Sequence, residues 1–97
     1  MDKDARMLEI MGNALVDLQV KYRNSSLSDR MAMKPALDEL IKDYAEYQLR
    51  LLKEGVITTD EDLQGMDEIK REIDQAARLE EMLKAIARTI AFIATKI

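Results

Sequence analysis

Ninety-seven residues, 47% apolar and 35% charged with a net charge of −4, bound a single small domain with a thin core, because a chain this short buries only about 60–70% of the surface its unfolded form exposes. The sequence has no Cys and no His, which excludes disulfides, thiolate metal sites, cysteine nucleophiles and the commonest general base. Abundant Leu, Ile, Ala, Glu and Lys against three Gly and one Pro favour helix; with no apolar run of about 18 residues and a charged start, MDKDARMLEIMG, unlike a signal peptide, an all-α cytoplasmic protein is expected.

The first element is read from about Asp4 to Asn24. Leu8, Met11, Leu15, Leu18 and Tyr22 recur at spacings of three and four, which places them on one helical stripe. Gly12 interrupts this helix at a cost of about 1 kcal/mol relative to Ala, tolerable where another backbone approaches closely. The stretch RNSSLSDRMAMK mixes turn residues with Met and reads as a connector, with Ser28 able to cap one short turn. Asn24-Ser25-Ser26 matches a glycosylation sequon, but turn chemistry is the expected role.

A second helix is expected from Pro35 to about Glu54. Pro suits the first helical position, and Asp38 and Glu39 complement the helix dipole there. Leu37, Leu40, Ile41, Tyr44, Tyr47 and Leu51 form its apolar face, and Gly55 is placed to stop it.

Thr58 with Glu61 three residues later matches a capping box, opening a third helix expected to run from about Asp60 to Ile97. Met66, Ile69, Ile73, Ala76, Leu79, Leu83, Ile86, Ile90, Ile93 and Ile97 form a coiled-coil-like seam, with one slip in spacing between Ala76 and Leu79. Asp67–Arg71, Asp74–Arg78 and Glu80–Lys84 are spaced as stabilising pairs on the opposite face. The last turns are apolar over most of their circumference, more than two shorter helices can cover. The expected remedy is self-association as a homodimer through Leu79, Met82, Leu83, Ile86, Ile90, Phe92, Ile93 and Ile97.

Candidate chemistry is sparse. Asp60, Asp62 and Gly65 fall at the first, third and sixth positions of a calcium loop, but Asp67 and Arg71 stand where an apolar residue and Glu are required. Helix capping is the expected role of these acids, and no cofactor or metal is expected. The basic residues gather into no large face, so direct nucleic-acid binding is not expected either.

IKREIDQAARLEEML followed by Arg88 is similar to the first helix of the AroQ-type chorismate mutases. By that likeness Arg71 and Arg88, along one helix, would bind substrate carboxylates in a mutase-like enzyme or small-molecule-binding bundle. Those enzymes require a further Lys and two more helices beyond this segment, so the enzymatic reading is the alternative.

Taken over nearly its whole length, the chain resembles the YlbF/YmcA family of small helical proteins, including its YheA-like members. Tyr22, Pro35, Tyr44 and Gln48 stand where that family closes its first helix, opens its second, and places an aromatic and a Gln. EGVITTDEDL matches the acidic turn that follows, and Met66 to Ile97 the long Ile-rich helix. The turn after Gln48 is shorter than usual, and the Cys-bearing tail that binds an iron–sulfur cluster in some members has no counterpart. The resemblance implies a three-helix antiparallel arrangement with a long C-terminal helix, and a dimeric, non-enzymatic regulatory subunit of an endoribonuclease-associated complex in mRNA maturation. A phage or mobile-element factor that inhibits a host protein is a further alternative.

Overall fold

Four helices, rather than three, account for the computed structural model, which describes residues 2–55 and 57–97: α1 (Lys3–Arg23), α2 (Leu27–Glu54), α3 (Asp60–Gln75) and α4 (Leu79–Ala94). They form an up-down-up-down bundle of 41 × 22 × 18 Å. α1 packs chiefly on α3 and α2 chiefly on α4, with α1–α2 and α3–α4 contacts closing the ring. The α2–α3 connection therefore crosses from one corner of the bundle to the opposite one. Its Val56, part of the acidic turn on which the family resemblance draws, lies outside the described residues.

α1 matches its expected span. Asp2 caps it by accepting from Asp4 N–H at 3.0 Å, and its buried face, Met7, Ile10, Met11, Ala14, Leu15 and Leu18, is wider than the expected stripe because α1 touches two neighbours. The close approach at Gly12 comes from a side chain, not a backbone. A Cβ there would lie 3.2 Å from the Tyr44 hydroxyl, which donates to Leu8 C=O at 3.3 Å.

α2 begins eight residues before the expected start. Ser26, not Ser28, is its cap, with Oγ accepting from Asp29 N–H at 3.1 Å, and the segment read as a connector is helical. Pro35 consequently sits inside the helix, where it removes one backbone bond at a cost of about 3 kcal/mol. Burial offsets this: Met33 is 1% exposed, packed with Ala76 and Met82 in a small cluster that the helical path alone brings together. Gly55 ends α2 as expected, at φ 79° with its N–H on Leu51 C=O.

The expected single helix from Asp60 to Ile97 is broken between Gln75 and Leu79. Ala76 turns to an extended conformation (φ −66°, ψ 123°), and α4 folds back antiparallel to α3. The pairing of Asp74 with Arg78 is lost with helical continuity, and Asp74 instead binds Lys70 at 3.1 Å. The driving force is burial. Folding back seals Ile86 and Ile93 at 1% and 0% exposure against the other helices, each contributing roughly 1.5–3 kcal/mol.

Candidate interaction surface

Polar side chains are concentrated at the two corners of the bundle, where they hold the connections. At the α2–α3 corner, Asp4 of α1 is buried, and its Oδ1 accepts from Ile57 N–H at 3.2 Å, Thr58 N–H at 3.0 Å and Thr58 Oγ at 2.5 Å. With Thr58 so engaged, the capping box shifts by one residue from the expected Thr58–Glu61 to Thr59–Asp62. Asp62 also binds Lys96 at the C-terminal end of α4. Burial pushes the Asp62 carboxyl up, but the Lys96 ammonium and Thr59 N–H more than offset this and hold it below its ordinary value. Tyr47, fully buried nearby, is pushed up by the same loss of water, and its hydroxyl lies beside Thr58 without a well-directed hydrogen bond. Asp60, Asp62, Gly65 and Asp67 all lie on α3 itself, not in the irregular loop from which calcium ligands converge.

At the α3–α4 corner the freed backbone groups are met by side chains from a distance. Lys21 Nζ of α1 donates to Asp74 C=O at 3.2 Å and Ala76 C=O at 2.7 Å. Glu81 reaches back to accept from Ala77 and Arg78 N–H at 3.3 and 3.1 Å, and these two bonds hold its carboxyl below the usual carboxylate range. Beside this corner Arg88, Lys84, Glu72 and Gln75 line an open groove of about 470 Å³. Arg88 is occupied there by Glu72 and, at 3.6 Å, by Glu68.

The chain break separates the two arginines of the mutase-like reading. Arg71 is on α3 and Arg88 on α4. Arg71 is exposed and lies away from the buried α3 stripe of Met66, Ile69 and Ile73, whereas Arg88 is held in the α3–α4 groove. The single continuous helix on which that likeness places both arginines is absent.

Of the residues expected to form a dimer contact, Met82, Ile86 and Ile93 are buried in the chain's own core. Leu79, Leu83, Ile90 and Phe92 are half-buried against it; the Phe92 ring would lie 3.3 Å from a Cβ at Gly65. Ile97 alone of the set is exposed, at 43%. Part of the hydrophobic demand that motivated this surface is met inside the chain by Met82, Ile86 and Ile93, while Leu79, Leu83, Ile90, Phe92 and Ile97 keep accessible area.

The exposed apolar surface lies elsewhere. Among the described residues eight large hydrophobic side chains are exposed, and five belong to α2: Leu27 (67%), Met31 (69%), Ile41 (39%), Leu49 (52%) and Leu52 (83%). These five sit at spacings that return them, with Ala45, to one stripe on the outer side of the helix, about a third of a turn from the buried Met33, Leu37, Leu40, Tyr47 and Leu51. Both faces of α2 are therefore partly apolar, the pattern of a helix covered on two sides. Sequence reading missed the outer stripe because its N-terminal third lay in the presumed connector, and because Ile41 was assigned inward. No helix among the described residues is long and apolar enough to cross a membrane.

Comparison of the chain with protein-family models, with characterised proteins and with solved structures finds no significant match.

Proposed function

We propose that this protein is a non-enzymatic regulatory or adaptor subunit of the cytoplasm that works as a homodimer and by helix-mediated association with other proteins. The observation that carries the reading is the outer face of α2: five large apolar side chains exposed on one helix that already packs a separate stripe into the core. Scattered apolar residues on a surface are ordinary, but a stripe at helical spacing is the form that a helix-on-helix contact takes. The resemblance of Tyr22, Pro35, Tyr44 and Gln48 to the YlbF/YmcA pattern supports an endoribonuclease-associated complex as the first partner to test.

Two measurements test this. Sedimentation analysis across the micromolar range is expected to show concentration-dependent association, and a chain that stays monomeric throughout contradicts the homodimer. Co-purification from the native cell, with wild-type protein and a Leu49→Glu variant side by side, is expected to recover an endoribonuclease complex with the wild type only. Equal recovery by both would mean that this complex depends neither on the α2 face nor on a dimer formed through it.

A further inference from the structure

We infer that the partner of the outer α2 face is a second copy of this chain, laid antiparallel across it about a two-fold axis near Leu40. The inference rests on the self-association proposed above and adds to it the surface, the direction and the register.

The first observation is where the apolar residues lie along α2. Leu27 and Met31 stand near one end, Leu49 and Leu52 near the other, and all four are more than half exposed. They are almost symmetric about the middle of the helix. Running a second α2 in the opposite direction brings Met31 level with Leu49 of the partner subunit and Leu27 level with Leu52 of the partner subunit, twice over by symmetry. Ile41 and the small Ala45, both exposed, lie near the centre, where a small side chain lets two helix backbones approach.

The second observation is charge. Between the apolar ends, Lys34, Asp38, Lys42 and Glu46, all exposed, alternate in sign at four-residue spacing. Read against its own reverse about Leu40, this series sets Asp38 level with Lys42 of the partner subunit, and Lys34 level with Glu46 of the partner subunit. Every charge meets its opposite. A parallel, in-register pairing would instead set each residue beside its own copy, Asp38 on Asp38 and Lys42 on Lys42, which like-charge repulsion disfavours. The existing Lys34–Asp38 bridge at 3.2 Å is exposed on both sides and is free to join the larger network.

The contact is small. α2 has 28 residues, about 42 Å at 1.5 Å per residue, so one helix face gives an interface at the small end of the specific range. Dissociation in the range of roughly 1–100 µM is expected.

The test uses the full chain, sedimentation velocity across the micromolar range, and three substitutions at exposed positions that leave the core untouched. Leu52→Glu, Asp38→Lys and Lys42→Asp are each expected to weaken the dimer by about tenfold or more, with helicity and thermal midpoint near the wild type. The register is read from the two charge substitutions taken singly, which turn attraction into repulsion in the antiparallel pairing but leave a parallel one with like charges as before; the confirming sample is an equimolar mixture of the Asp38→Lys and Lys42→Asp chains, which restores opposite charges at both positions. Recovery of dimer in that mixture supports the inference, and failure to recover overturns the register. A wild-type chain that remains monomeric overturns this inference together with the homodimer reading. A wild-type dimer indifferent to all three substitutions leaves self-association standing and removes α2 from it.

Discussion

α4 and the outer face of α2 exchange the roles that composition suggests for them. α4 is the more apolar helix by far, yet Met82, Ile86 and Ile93 are enclosed by the chain's own core. α2 carries charged residues along its whole length, yet leaves Leu27, Met31, Leu49 and Leu52 open to solvent. The apolar content of a helix says how much cover it needs, and the chain path decides whether that cover is internal. Here the three-residue break at 76–78 folds α4 onto α2 and α3 and so moves the unsatisfied surface to α2.

The strongest way to break this contrast is to remove a side chain on which the fold-back depends. Ile93→Ala empties a fully buried site and is expected to lower unfolding stability by about 2–5 kcal/mol, read by denaturant titration. A change within experimental error would mean that α4 is not enclosed. Next in size is Asp4→Ala, which strands the Ile57 and Thr58 donors and should cost about 2–4 kcal/mol by the same titration, loosening the corner that also holds Asp62 and Lys96.

Leu79→Pro separates the broken from the continuous helix more sharply. Leu79 is the first residue of α4, following Arg78 in an extended conformation (φ −111°, ψ 159°), so proline fits its backbone. The expected loss is about 1 kcal/mol, from the half-buried Leu side chain. A loss of about 3 kcal/mol or more, the cost of proline inside a helix, would indicate a continuous backbone at 76–79.

The smallest effect is acid sensitivity. Asp62 and Glu81 have folded-state pKa values held below their ordinary ones, so their contributions are fully present above the unfolded values. They fade as pH falls through the lowered ones, below about pH 4. Thermal midpoints should therefore decline through that window, and Glu81→Gln should flatten part of the decline. An unchanged profile in this variant would mean that the Glu81 bonds to Ala77 and Arg78 contribute nothing to the corner.

Some of this was legible in the residues. The periodicity of α1, the stop at Gly55 and a cap near Thr58 are local signals, and each appears within a residue or so of its expected place. Pro35 misled because a proline normally opens a helix, whereas here the burial of Met33 draws the preceding turns into the same helix. The break at 76–78 carries no Gly or Pro. Its one trace is the slip in apolar spacing between Ala76 and Leu79, and part of what holds it, the Lys21 ammonium on two of its carbonyls, lies more than fifty positions away in sequence. The outer stripe of α2 is complete only because Leu27 and Met31 are helical.

The fold-back of α4 is tested most directly by a distance. The chain has no native cysteine, so Glu61→Cys with Thr95→Cys, both exposed, can be spin-labelled and their separation read by pulsed electron resonance, with labelled chains diluted into unlabelled protein. Because Asp62 and Lys96 are in contact, the bundle predicts a narrow distribution below about 25 Å, whereas one straight helix would separate the labels by about 50 Å at 1.5 Å per residue. A dominant population near the longer distance would contradict the enclosure of α4, and with it the reason for placing the interaction surface on α2.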